Sequence, residues 1–435
     1  MTAMQGLVDP PARQHDSGLR RFTWPLAFVA VALIMLVFYY LNVMGYLSDS
    51  TSQWAQTWIP LDTINQALIW TMCALGLNIV VGYAGLLDLG YVAFWAIGSY
   101  VVGWFASSFF SHLNIKILGN PAPFTTGGIH FNFLLLLIVG AAICALAGVL
   151  IGAPTLRLRS DYLAIVTLGF GEIIPQIFTN GDDLGGFNLS NGNKGITPVD
   201  QIKGPGVSQA NGFQWRSLGP SDNLSRYVIF AILTALIVFI SLRLRVGRLG
   251  RAWLAIREDE LAASAMGVPL MRTKLAAYGV GALAGGIAGV AYSMQIGGVL
   301  PNPFDFSKSI TLLAMVVLGG MGNVWGVMIG AMFLAWFNQT GLPEVGNSIN
   351  SAAGTNINFT SYSFLLFGTV LVLMMLFRRE GLIPEARTRL VLREPGRTEV
   401  EALGSDMEQQ APELDAAVLD EPPVLERDPG KGEPE

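Results

Sequence analysis

The chain has 435 residues, 52% apolar and only 13% charged, with a mean hydropathy of +0.50. Those values exclude a string of soluble domains and predict an all-α, polytopic transmembrane helical bundle. The net charge of −5 is uneven, because residues 380–435 hold 15 Asp/Glu against 6 Lys/Arg; the rest is net basic, and nothing in the pattern calls for a nucleic-acid partner.

In chain order, residues 1–23 are polar, with Arg20 and Arg21 just ahead of an apolar run from Pro25 to Leu47. A twin-arginine export signal is a poor fit, since no small-residue cleavage site follows the run and more apolar segments come after it. A first membrane helix with its basic end in the cytoplasm fits better. Further spans are expected at 61–82, 91–111, 131–153, 162–180, 226–245, 275–298, 309–320, 322–340 and 361–377, so that about eight to ten segments cross, some of them broken or re-entrant. Segment 309–320 is only about 18 Å long as a helix, against a hydrocarbon core of about 30 Å. The stretch from Gly82 to Gly90, with Asp88 inside it, reads as a second break.

Lys/Arg placement sets the orientation. With the N-terminus inside, Arg157, Arg159, the run from Arg243 to Lys274, and Arg378 and Arg379 all face the cytoplasm, as do both termini. Residues 24–379 then form one transmembrane domain, with lipid around it. Residues 380–435, with seven Pro and no aromatic residue, are expected to be a disordered acidic cytoplasmic tail.

The longest charged insert, residues 247–274, interrupts the apolar pattern. Ala252 to Met266 lacks Gly and Pro and stops at Gly267 and Pro269, which predicts one helix. Its charges Arg257, Glu258, Asp259 and Glu260 precede small residues, among them Ala262 and Ala263, then Gly267. Such a surface can lie in a partner's groove, with small side chains permitting close approach, or it can be a plain surface helix.

Polar residues inside apolar spans are the other candidates: Asn65, Gln66, Asn78, Asp88, Glu172, Gln295, Asn338 and Gln339. Asn78, Asp88 and Glu172 are the choices for a solute path, although each also suits a structural role. Gly281, Gly285 and Gly289 share a helix face, as do Gly322, Gly326 and Gly330, and packing within the chain is the favoured use of both strips. Cys73 and Cys144 lie in apolar runs and read as buried thiols. The only Gly-Lys pair, Gly430-Lys431, is followed by Gly, so no phosphate-binding loop is present. His15, His112 and His130 lack metal spacing, and no catalytic or metal site is expected.

Three stretches carry a family resemblance. The run REDELAASAMGV is similar to the coupling loop of ATP-binding-cassette (ABC) transporter permeases, Glu-Ala-Ala then three residues then Gly, with Leu261 interrupting the pattern between Glu260 and Ala262. GLNIVVGYAGLLDLGYVAFWAIGSY (Gly76–Tyr100) and LRLRSDYLAIVTLGFGEII (Leu156–Ile174) resemble the branched-chain amino-acid permeases of the LivM type and their urea and amide relatives. The resemblance spans roughly residues 60–380 and implies a permease subunit of an importer in the bacterial inner membrane. It also implies a second permease subunit, two cytoplasmic ATPase subunits that bind ATP and Mg, and a periplasmic solute-binding protein, with no cofactor on this chain. Arg257, Glu258, Asp259, Glu260, Ala262, Ala263 and Gly267 would then couple to the ATPases. Two alternatives stay open at this point: the same architecture importing urea, short amides or other amino acids, and a stand-alone ion-coupled transporter.

Overall fold

The computed structural model describes residues 19–117, 127–157, 160–183, 185–200, 222–354, 358–378 and 381–383. The expected acidic tail from 384 onward, and most of the polar N-terminal segment, lie outside them. In chain order the helices are α1 (Leu19–Val43), α2 (Asp49–Trp58), α3 (Leu61–Leu77), α4 (Val92–Phe105), α5 (Phe133–Thr155), α6 (Ser160–Thr179) and α7 (Asp222–Val246). They continue as α8 (Arg248–Glu258), α9 (Glu260–Ala265), α10 (Leu270–Ile296), α11 (Phe306–Gly319), α12 (Val324–Trp336), α13 (Leu342–Ala353) and α14 (Ser363–Phe377).

Among the described residues six helices are long and apolar enough to cross a bilayer, and α4, α11 and α14 are shorter apolar helices of 14 or 15 residues. The chain is therefore a multi-pass helical membrane protein. The expected ten apolar segments are all helical, but not all are full spans. The predicted span 91–111 stops at Phe105, because Ala106 and Ser107 leave the helix to pair as strand β1 (Ala106–Ser107). Strand β3 (Gly128–Phe131) lies between β1, to which it is antiparallel, and β2 (Asn114–Ile117), to which it is parallel. The predicted span 322–340 instead runs from Val324 through a wide turn at Phe337–Gly341 into α13.

The core is built around α10, which packs on α3, α4 and α5. Its glycines make that possible. A Cβ on Gly289 would stand 2.4 Å from the Trp95 carbonyl oxygen, and one on Gly281 2.5 Å from a Val80 methyl. Gly326 and Gly330 play the same part between α12 and α11, meeting Gly319 backbone. Both glycine strips are thus spent inside the chain, as favoured above. Cys73 and Cys144 are fully buried and free.

Several of the intramembrane polar residues hydrogen-bond to other polar groups of the chain. Asn65 donates to the Asn223 carbonyl at 3.1 Å, Gln295 to Asp62 at 2.6 Å, and Gln66 to Asp62 at 3.2 Å, while Gln339 donates to Gln66. Such pairing lowers the cost of burying an amide, while the Asn65 Oδ1 and Gln295 Oε1 atoms stay buried without a partner. Near the strands, His130 Nδ1 lies 2.8 Å from Asp200. The segment leading to Asp200 bonds both to β1, through Asp200 N to the Ala106 carbonyl at 2.8 Å, and to the chain just after α10, through Val299.

Candidate functional site

Helix α3 does not end cleanly. Its last turn widens into a π-turn at Asn78–Tyr83, followed by irregular chain up to Gly90. A π-turn leaves backbone groups poorly matched to the helix ladder, and such turns concentrate at functional places. Here the freed groups find partners from three other segments.

The first is the turn after α11. Asn78 is fully buried, and its side-chain oxygen accepts from Gly322 N at 2.9 Å. Gly320 and Gly322 both have positive φ, 110° and 87°, which lets this turn reverse within a few residues. Gly82 is equally necessary, since a Cβ there would stand 2.7 Å from Gly322 N. Residues 381–383 bond back to the same turn, Leu382 N to the Leu318 carbonyl at 2.9 Å and Asn323 Nδ2 to the Ile383 carbonyl at 3.0 Å.

The second is α6. Asp88 is buried at 2% exposure and accepts from Gly90 N at 2.9 Å, a local turn that launches α4. Leu89 N donates to Thr167 Oγ1 at 3.1 Å, and Gly90 lies so close to the Thr167 carbonyl that no side chain fits between them. Glu172 is five residues further along α6 on the opposite side, exposed. The structure therefore brings Asn78 and Asp88 into one interrupted span and places Glu172 behind it, not beside them.

The third is the charged insert. It is two helices rather than the single helix expected for Ala252–Met266. Asp259 adopts an extended backbone conformation, φ −153° and ψ 113°, and its carboxylate accepts from Leu261 N at 2.8 Å and Ala262 N at 3.0 Å. It is the N-cap of α9, and a capping Asp ends one helix and starts the next. Arg257 donates through Nη1 to the Gly82 carbonyl, and Trp253, fully buried, stacks on Tyr83 with ring centroids 6.5 Å apart. Trp253 also donates to the Thr273 carbonyl at 2.8 Å, at the base of α10. Glu260 pairs with buried Lys274 at 2.6 Å. Between loop and break is a cavity of about 200 Å³, lined by Gly85, Leu86, Leu163, Arg257, Glu260 and Lys274 among others.

Three of the four charges read from the sequence as a contact surface are therefore engaged within the chain; Glu258 is exposed. Ala262 and Gly267 are also exposed, Gly267 closing α9 with φ 83°, whereas Ala263 is buried. Beside the exposed Glu258, Asp259 and Glu260, two large apolar side chains protrude, Leu261 and Met266, 81% and 85% exposed. Sequence reasoning took Leu261 as an interruption of a motif and Met266 only as the end of the expected helix. The readable signal was the capping Asp, which fixes the helix start and so puts Leu261 in the first turn, outside the packed side.

A helical membrane bundle whose spans break inside the protein, with a two-helix charged loop clamped to one of the breaks, has the build of a transporter's membrane subunit. Sequence comparison makes that class specific. The family model for the branched-chain amino acid transport system permease component matches residues 59–375, and the chain belongs to that family. The high-affinity branched-chain amino acid transport system permease protein LivM of Escherichia coli is 34% identical over 77% of this chain and 72% of its own length. A probable LivM permease of Methanocaldococcus jannaschii is 26% identical over 75% of this chain and 94% of its own. The permease protein LivH of Escherichia coli is 28% identical over 39% of this chain and 52% of its own. No solved structure matches the chain.

Proposed function

We propose that the chain is a membrane-spanning permease subunit of an ABC importer that moves branched-chain amino acids across the inner membrane. The observation that carries this reading is the clamp of the α8–α9 loop on the broken end of α3, found in a chain of the permease family. ATP and Mg bind, and ATP is hydrolysed, on two separate cytoplasmic ATPase subunits. A second permease subunit and a periplasmic solute-binding protein complete the assembly. The loop end of the bundle is cytoplasmic, as the placement of Lys and Arg predicts.

In this mechanism α9 is the docking element. Leu261 and Met266 enter an apolar groove of an ATPase subunit, each contributing about 1.5–3 kcal/mol if fully covered. Asp259 and the Glu260–Lys274 pair hold α9 in position for that contact. When the ATPases close, α8 moves with α9, and Arg257 and Trp253 transmit the displacement to Gly82 and Tyr83. The break is the compliant point, since a π-turn can shorten or extend without unravelling the helices on either side. Asn78 ties the break to the turn after α11, so both interrupted segments move together. Asp88 borders the region through which the solute passes, while Glu172, on the outer side of α6, stands apart from it. A zwitterionic solute is held there largely by freed backbone groups and apolar contacts.

The test is purification of the tagged complex from native membranes, with ATPase assays against candidate binding proteins and their solutes. Two ATPase subunits and a second permease are expected, with hydrolysis stimulated by a branched-chain amino acid and its binding protein. The double variant Leu261→Asp, Met266→Asp should lose the ATPase subunits while the chain remains folded. ATPase subunits retained by that variant would remove α9 as the docking element, and stimulation by urea or an amide alone would replace the solute.

A further inference from the structure

The outer side of α6 is ill suited to lipid. Tyr162, Ile165, Gly169, Glu172, Ile173 and Gln176 fall on one side of the helix by its 3.6-residue period. All are exposed except half-covered Gly169, where an added side chain would meet no atom within 4 Å. Glu172 is about 18 Å along the helix from Ser160, well within a hydrocarbon core. A carboxylate facing lipid at that depth costs about 2.5–3.5 kcal/mol on the insertion scale.

Other outer surfaces do not share this problem. The exposed side chains of α1 include Leu26, Val29, Leu33, Ile34 and Val37, and those of α14 include Leu365, Val372 and Leu376, all apolar. Those helices can meet acyl chains directly. The α6 face needs protein opposite it, with a hydrogen-bond donor for Glu172 and Gln176.

We infer that this face of α6 is the seat of a second permease chain related to this one but not identical to it. The inference rests on the importer reading above and adds the location of the contact. Escherichia coli has two distinct permeases, LivM and LivH, and this chain is similar to both; a related pair offers the same helical build on either side of a seam. The open position at Gly169 lets a partner helix approach closely. The inner side of α6 holds the Asp88 turn through Thr167 and Gly90, and the loop grips that same break through Arg257. Displacement of the loop is thereby delivered to the seam.

A photo-crosslinking amino acid placed singly at Ile165, Ile173 and Gln176, with Ile34 and Leu376 as outward-facing controls, tests this in native membranes carrying the whole complex. The three α6 positions should give an adduct with the mass of this chain plus the second permease, and the controls should not. If the second permease co-purifies while the α6 positions yield only lipid adducts or a dimer of this chain, the seam is overturned and the importer reading stands. If no second permease co-purifies with the unaltered chain, the paired-permease reading fails, and the seam with it. Glu172→Leu should lower recovery of the second permease about tenfold or more, while Glu172→Gln stays within about twofold of the native chain. Equal recovery from both variants would overturn the polar contact at Glu172.

Discussion

Helices α10 and α6 are both apolar and both carry glycine, yet their most apolar windows are 72% and 22% buried. In α10 the glycines are occupied: Gly289 meets the backbone of Trp95 and Ser99, and Gly286 meets Cys144. The polar residues of α10 turn the same way, Ser293 donating to the Ser99 carbonyl at 3.3 Å and Gln295 to Asp62. In α6 the only glycine on the outer side touches nothing, and the carboxylate beside it points away from the fold. Glycine content does not separate a core helix from a contact helix. The side of the helix on which the polar groups lie does.

The sharpest way to break this contrast is to fill one glycine on each helix. Gly289→Leu should remove most folded protein, because the clash is with backbone and cannot be relieved by a rotamer change; overpacking of this kind costs about 1–3 kcal/mol or more. Gly169→Leu should leave the thermal stability of the isolated chain within about 0.5 kcal/mol of native. Thermal unfolding in detergent, read by size-exclusion recovery, compares the two. Similar losses at both sites would mean that α6 is covered by its own chain.

Next in size is the link that drives the break behind α6. Arg257→Met keeps length and apolar packing but removes the hydrogen bond to Gly82, a charged-group bond worth about 1.5–3 kcal/mol. Uptake should fall about tenfold in vesicles, with ATPase subunits still attached and their hydrolysis no longer responsive to solute. Normal solute-stimulated uptake would leave Trp253 as the sole link.

The smallest effect belongs to the strap that ties the end of α10 to the strands. Burial raises the Asp200 carboxyl above the ordinary carboxylate range, and its hydrogen bond and ion pair with His130 oppose the rise. A carboxyl raised on folding contributes stability below its unfolded value, and that contribution is lost as pH rises through the folded value. Asp200→Asn should therefore flatten this part of the pH dependence, with differences under about 1 kcal/mol. Parallel melting curves of the native and Asn chains across the acidic range check it; a steeper dependence in the variant would reverse the sign.

Much of the architecture was legible from the residues. The break at Gly82–Gly90, the short segment before Gly319 and Gly320, the inward use of the glycine strips and the charged insert all follow from local composition and period. The bonds of Asn65, Gln295 and Gln339 were not legible, since their partners lie on other elements far along the chain, and only Gln66 with Asp62 is a pair at helical spacing. The small sheet escaped as well, because strands of two to four residues between Gly and Ser carry too little alternation to register. The insert was only partly legible: Asp259 and Glu260 are exposed as expected, but one also caps α9 and the other pairs with Lys274, and the prominence of Leu261 and Met266 beside them was not read from the sequence.

The two cysteines deserve a practical remark. Cys73 sits in α3 and Cys144 in α5, both with no exposed surface, and the sequence holds no others. A water-soluble thiol reagent reaches neither while the bundle is folded. A single cysteine introduced at the loop tip, on the outer side of α6 or beside the break would be the sole labelled thiol, so each moving part can carry its own reporter in the otherwise native sequence.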